Sequence, residues 1–209
     1  MAAPRPLQRT STVDALAAAL RREILEGELA PGAWLREREL TEAYGVARHS
    51  LRAALRALAA EGLVRIEPHR GAHVAELTPE DVRDLYELRT ALELEAAHLA
   101  LERNGGRLPD EVHAALARLE AACARDDWSA ANEAHAELHG AIVAAARSPR
   151  IAAAHAALSG EMRLFLLALR PHIPPDRLAA DHAALVRDLE RDGPPALREH
   201  LRAAAERLV

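Results

Sequence analysis

Apolar side chains recur every three or four residues along most of the chain, which is the spacing of amphipathic helices. The first stripe runs from Val13 to Leu25, and Thr12 is a suitable N-cap for its helix. Two shorter helices are predicted over about 37–44 and 48–61, because Gly45 and Gly62 follow them.

The spacing then changes to the alternation of a β-strand. Residues 63–67 alternate and are rich in β-branched side chains, a Pro-His-Arg-Gly turn occupies 68–71, and residues 73–75 can return as a second strand. Three helices followed by a hairpin are the order of a winged helix-turn-helix, which we predict for residues 12–76. Residues 1–11 are rich in Pro, Arg and Ser/Thr and predict a disordered arm.

Residues 77–209 predict a second, all-helical domain. The Thr-Pro-Glu-Asp sequence at 78–81 is a strong helix start, and this first helix is expected to reach about Arg103. Breaks rich in Gly, Pro or Asp separate five further helices, at about 108–125, 127–146, 149–170, 175–191 and 195–208. The predicted fold class is mainly α, a winged helix-turn-helix followed by a helical bundle.

Composition and charge restrict the function. The net charge of −5 argues against a uniformly basic nucleic-acid binder, yet residues 1–76 hold 11 Arg against 10 acidic residues, whereas residues 77–209 hold 16 against 22. DNA binding must therefore come from arginines placed on one face. The single cysteine, Cys123, excludes a disulfide framework and predicts a buried packing residue. No apolar run approaches the ~20 residues of a membrane span, so we expect a cytoplasmic protein that does not bind membranes.

Residues 48–58 have the pattern of a DNA-recognition helix. The apolar stripe consists of Leu51, Ala54, Leu55 and Leu58. Arg48, Arg52 and Arg56 form a neighbouring stripe, and His49 and Ser50 are expected at the exposed N-terminal end, where such helices contact bases. The Arg side chain matches both guanine and phosphate. The alternative is a solvated arginine face on an ordinary helix.

The stretch LRERELTEAYGVARHSLRAALRALAAEGLVRIEPHRGAHV resembles the DNA-binding domain of the GntR family, which joins a winged helix to an effector domain. The resemblance implies that DNA is contacted by Arg38, Arg48, His49 and Arg52 from the helices and by Arg70 and Gly71 from the wing. Three positions depart from the family: Ala47 replaces a capping Ser or Thr, His49 a Thr and Ser50 a Pro. These departures leave the fold unchanged and affect the operator sequence.

Histidines are the candidate metal-binding residues of the helical half. His135 and His139 lie one helical turn apart and can share a metal ion, and His182 and His200 lie on two later helices. Four imidazoles from three helices can converge inside a bundle. With 11 histidines in the chain, an accidental pair at this spacing is the alternative.

Residues 78–209 resemble the FCD effector domain of the FadR subfamily, through LTPEDVRDLYELRTALELEAA, a helix ending in ELH, DHAALVRDL and EHL. Many such domains hold a divalent metal with Asp and three His. The resemblance implies His139, His182 and His200 as those histidines and puts His135 where Asp is usual. An all-imidazole site favours zinc, or else nickel, over manganese. The spacing from His182 to His200 is shorter than in the family by about four residues, close to one helical turn.

By the same resemblance, Arg89 faces an effector cavity, where it could pair with a carboxylate. Three of the assigned arginines have structural alternatives. Arg38 could pair with Glu42 and Arg89 with Glu93, each at i+4, and Arg70 could be solvated. The histidines without a counterpart are expected at the surface or in packing: His98, His113, His155 and His172.

These observations predict a ligand-responsive DNA-binding regulator, a repressor, that acts as a homodimer on a near-palindromic operator and holds a divalent metal and a small carboxylate effector. One alternative is a metal-free FCD-type regulator with an acyl-type ligand. Another is a zinc hydrolase on a helical bundle, which needs Glu directly after the first histidine. Ala136 stands there, and four protein ligands would close the metal's open position, so we expect no enzyme.

Overall fold

The computed structural model describes residues 11–207, which form two compact units divided between Glu76 and Leu77. The arm predicted over residues 1–11 lies outside the described residues, except for Ser11. That residue, and not Thr12 as predicted, caps the first helix: its side chain accepts a hydrogen bond from the backbone N–H of Asp14, and the Asp14 carboxylate accepts one from the backbone N–H of Ser11. This reciprocal pair satisfies two backbone donors that a helix start otherwise leaves unpaired.

The first unit contains three helices and a small sheet. Its elements in order are α1 (Thr12–Glu26), β1 (Trp34–Leu35), α2 (Glu37–Tyr44), α3 (Arg48–Ala60), β2 (Val64–Glu67) and β3 (Gly71–Val74). Both α1 and α2 pack against α3. The winged helix-turn-helix predicted from the sequence is confirmed.

The wing has three strands rather than the predicted two. The additional strand β1 lies on the far side of β3, so the order is β1-β3-β2 and both neighbours of β3 are antiparallel. Trp34 and Arg65 are therefore the cross-strand partners of His73. Gly71 opens β3 at a φ of +108°, and a Cβ at this position would lie 4.0 Å from the Trp34 ring. The positive φ favours glycine there, whereas the Trp34 ring is only at ordinary van der Waals distance.

The core of the first unit lies between α1, α3 and the inner face of the sheet. The side chains of Leu20, Ile24, Leu51 and Leu58 are completely buried. Each such aliphatic side chain contributes about 1.5–3 kcal/mol of transfer free energy. The opposite, polar face of α3 is consequently left at the surface.

The second unit is all-helical. It consists of α4 (Pro79–Arg103), α5 (Asp110–Ala124), α6 (Trp128–Ala145), α7 (Pro149–Ala156), α8 (Ser159–Leu169), α9 (Pro175–Asp192) and α10 (Pro194–Ala205). Helix α6 packs against α4, α5, α7 and α8, and α10 packs against α4 and α9. The bundle therefore encloses several polar side chains of α4, α6 and α9, namely Arg89, Glu93, Asn132, His135, His139 and His182.

The single helix predicted over 149–170 is two helices, α7 and α8, bent by 47°. The bend precedes Ser159 and Gly160, a pair of weak helix formers that commonly marks a kink. Among the described residues no single helix is long and apolar enough to span a membrane, and only α7 and α8 taken together meet that criterion.

Candidate functional site

Three buried histidines from two helices converge in the second unit. His135 and His139 project from the same face of α6, and His182 projects from α9. One ligand nitrogen from each lies within 4.8 Å of the other two. Ring centroids are 4.8 Å apart for His135 and His139, 4.8 Å for His135 and His182, and 5.5 Å for His139 and His182.

The hydrogen bonds of these rings leave lone pairs directed at the cluster. The Nδ1 of His139 lies 2.8 Å from a Glu93 oxygen, and the Nδ1 of His182 lies 2.8 Å from the Leu178 carbonyl. Both partners accept when Glu93 is ionised, so each Nδ1 carries the hydrogen and each Nε2 the lone pair. Within residues 11–207 neither Nε2 has a hydrogen-bond partner, nor does the buried Nδ1 of His135. Buried nitrogens of this kind fit a bound cation.

His200, on α10, borders this cluster and is not part of the group of three. Its ring centroid lies 4.6 Å from that of His182 and 5.8 Å from that of His139, and its side chain is half-buried. The structure thus places all four predicted metal-binding histidines side by side, with His200 at the edge.

Burial keeps these imidazoles neutral. Loss of hydration lowers the pKa of His182 to about 3 and is also the main cause of the lowered pKa of His135, His139 and His200. Neighbouring imidazoles lower these pKa values further, because two adjacent positively charged rings would repel each other. The neutral form is the one that binds metal ions.

Glu93 lies at the centre of a buried hydrogen-bond network, and the sequence analysis named it only as a partner of Arg89. Its completely buried carboxylate lies 2.8 Å from the Arg89 Nε, 2.8 Å from the His139 Nδ1 and 3.1 Å from the His155 Nε2. Burial raises the pKa of Glu93, but Arg89 and His139 outweigh it and hold the pKa well below its usual range. His155, expected at the surface or in packing, is buried in this network.

Arg89 makes the ion pair expected as its structural alternative and also borders a cavity. It pairs with Glu93 at i+4, and it also lines the cavity that contains the histidines. Its guanidinium lies 4.7 Å from the Tyr86 ring centroid, and its buried Nη2 meets no hydrogen-bond acceptor in the described chain. The Nη2 of Arg89, which carries two N–H donors, is therefore unpartnered within residues 11–207.

The cavity around this cluster has a volume of about 480 Å³. Apolar side chains form one part of its wall: Phe165, Leu166, Leu169 and Ile173. Acidic residues of the wall are paired with arginines. Asp181 accepts from Arg177 and Arg207, and Asp188 lies 3.1 Å from Arg191. The interior can therefore accept a small ligand with one charged end.

In the first unit, the start of α3 carries the predicted DNA-binding side chains. Arg48, His49 and Arg52 are exposed. Ser50 was expected to be exposed and is buried, with 9 % of its surface accessible, because it lies one turn before Ala54 on the core-facing stripe. Ala47 occupies the N-cap position and makes no side-chain capping bond within the described chain, as its apolar side chain predicts.

Acidic residues lie beside two of the predicted DNA-binding arginines, Arg52 and Arg38. Arg52 forms two hydrogen bonds to Glu37, at 2.7 and 3.0 Å, which the sequence analysis did not predict. The predicted alternative for Arg38 is present as a long, exposed contact of 3.9 Å to Glu42. Glu37 therefore offsets the charge of Arg52, whereas Glu42 lies too far from Arg38 for a hydrogen bond.

At the wing tip, Arg70 is largely exposed, as its solvated alternative predicts, and also has two neighbours. It lies 2.6 Å from a Glu67 oxygen and 5.5 Å from the Trp34 ring centroid. Trp34 is itself 44 % exposed, and His73 lies 5.2 Å from it, ring centroid to ring centroid. An aromatic side chain therefore supports the wing arginine.

Two protein families match the chain, one on each unit. Residues 12–74 match the family described as bacterial regulatory proteins, gntR family, and residues 84–207 match the FCD domain. The chain belongs to the GntR family and carries an FCD effector domain. It is a DNA-binding transcriptional regulator, and its homologues are regulators rather than enzymes, as predicted.

Individual relatives agree with this assignment. The chain is 31 % identical over 199 residues to a probable D-xylose utilization operon transcriptional repressor of Paenarthrobacter nicotinovorans, covering 95 % of this chain and 87 % of that protein. It is 33 % identical over 158 residues to the transcriptional repressor GlaR of Escherichia coli K12, covering 72 % of this chain and 68 % of that protein. A GntR protein of known structure from Rhodococcus sp. RHA1 superposes with a TM-score of 0.75 at 26 % identity, covering 94 % of this chain and 96 % of that one.

Proposed function

We propose that this GntR regulator is a homodimeric repressor that binds a near-palindromic operator and senses a divalent metal ion together with a small carboxylate. The observation that carries the metal and effector part is the convergence of partnerless buried nitrogens from His135, His139 and His182 in a cavity that Arg89 also lines. The repressor role is inferred from the names of relatives in Paenarthrobacter and E. coli.

The operator would be bound by the exposed start of α3 and by the wing. Arg48, His49 and Arg52 would enter the major groove, and Arg70 beside Gly71 would contact the flanking backbone or minor groove. Ser50 is buried and is therefore not expected to contact a base. A twofold dimer would present two such surfaces to two half-sites, which is why we expect a near-palindromic site.

The metal would be held by His135, His139 and His182, with His200 as the fourth donor. A bound divalent ion would supply positive charge beside Arg89. Neutral imidazoles bring no negative charge, and Glu93 is already offset by Arg89. An anion is therefore required to balance the ion in a buried cavity, which is the physical reason for a carboxylate effector. All-nitrogen donors favour zinc, or nickel, over manganese.

A metal-free regulator with an acyl-type ligand is the second candidate, favoured by the apolar wall of Phe165, Leu166 and Leu169. Metal analysis of the purified full-length protein separates the two. We expect about one ion per chain in the wild type and none in His139→Ala. The matched control is His98→Ala, which changes an exposed histidine of α4 and is expected to keep the ion. A wild-type protein that stays metal-free after incubation with zinc and with nickel would favour the acyl-type ligand.

A further inference from the structure

One carboxylate in the second unit accepts hydrogen bonds from three helices. Glu93 and Arg89 lie on α4, His139 lies on α6, and His155 lies in the last turn of α7. None of these side chains is more than 6 % exposed. A buried carboxylate needs several donors to remain charged, and this one has them.

The two oxygens of Glu93 serve different partners. Oε2 accepts from the His139 Nδ1, whereas Oε1 accepts from the Arg89 Nε and the His155 Nε2. The first contact decides which nitrogen of His139 carries the hydrogen. The second holds the guanidinium of Arg89, which lines the cavity, through its Nε and leaves its Nη2 without a partner among the described residues.

We propose that Glu93 is the positioning residue of this sensor, fixing the His139 tautomer for metal binding and the Arg89 guanidinium for effector binding, with His155 supporting it from α7. This inference rests on the proposed function. Carboxylates that accept from a ligand histidine orient the ring and raise its basicity, and their loss commonly costs 10–100-fold in metal affinity. Here the same carboxylate also orients the arginine, so both halves of the site depend on one side chain.

The competing explanation is that Glu93 only neutralises Arg89 in the core. A purely structural role would change stability and leave the His139 tautomer and the zinc affinity unaffected. The arrangement of donors argues against it, because the His139 contact uses the oxygen that Arg89 does not.

The test measures the tautomer and the affinity separately on the full-length chain. In the metal-free wild type, long-range ¹⁵N–¹H NMR spectra are expected to show His139 with its hydrogen on Nδ1. Zinc titration against a chromogenic chelator is expected to give roughly 10–100-fold weaker binding for Glu93→Gln, whose amide cannot accept from all three donors. His98→Ala is the control and is expected to bind zinc as the wild type does.

Two conservative variants keep the proposal testable if Glu93→Gln does not fold. Glu93→Asp retains the negative charge, but its side chain is one methylene shorter and its carboxylate lies farther from His139. Zinc binding should therefore weaken while Arg89 stays paired. His155→Gln retains an N–H donor and should keep zinc affinity within about threefold of wild type. A wild-type His139 with its hydrogen on Nε2, or Glu93 variants that bind zinc as tightly as wild type, would overturn the proposal. Absence of zinc binding by the wild type would instead refute the proposed function, and the tautomer would still test Glu93.

Discussion

Removing the metal ion should lower the Tm of the second unit by an amount that follows from the ion's saturation and the size of the unit. The unit spans Leu77–Val209, about 130 residues. At roughly 2.1 cal/mol/K per residue, its unfolding entropy near the midpoint is about 0.28 kcal/mol/K. An ion present at about 100 times its Kd stabilises the folded state by about 2.7 kcal/mol. The ratio of these two quantities predicts a fall in Tm of roughly 10 °C when the ion is removed.

The two tryptophans allow the change to be observed in the second unit alone. Trp34 lies in the first unit and Trp128, only 7 % exposed, lies in the second. In a Trp34→Phe background, fluorescence-detected melting with and without EDTA therefore follows the helical unit. The EDTA effect should reverse on adding zinc and be absent in His139→Ala. A wild-type Tm that EDTA does not move would refute the stabilisation argument.

Three further predictions concern Arg52, Trp34 and His182. Arg52→Ala should reduce the slope of log affinity against log salt by about 2, because a dimer loses two phosphate contacts; Arg83→Ala, an exposed change on α4, should leave the slope unchanged. Trp34→Ala should weaken operator binding by releasing Arg70, whereas Ile66→Ala, 47 % exposed on β2, should not. Metal-free protein should lose stability to urea as pH falls from about 6.5 toward 3, because His182 takes a proton when unfolded but stays neutral when folded; a flat profile would contradict its burial.

Local patterns predicted most of the fold. Helix ends were predictable because they depend on residues close in sequence. Examples are the glycines that follow α2 and α3 and the capping sequence Thr78–Asp81 at the start of α4. The pair His135 and His139 was predictable for the same reason, since one helical turn separates them. Strand β1 was missed because two residues carry too little periodicity to identify a strand, and its pairing depends on β3.

The rest of the site depends on contacts between distant parts of the chain. Glu93 meets His139 across 46 residues and His155 across 62, and no local pattern indicates either contact. The bidentate pair of Arg52 and Glu37 likewise joins two helices. Within α4, by contrast, the contact of Glu93 with Arg89 follows from i+4 spacing and was foreseen as an alternative.

The measurement that tests the central claim most directly is the affinity of the full-length chain for the DNA flanking its own gene. Fluorescence anisotropy would compare metal-loaded and chelated protein, each with and without a series of small carboxylates. We predict salt-sensitive binding, and for at least one carboxylate a change in affinity of about fivefold or more that requires the metal. Affinity that is the same under all four conditions, for every carboxylate tested, would contradict the coupling of this histidine cluster to DNA binding.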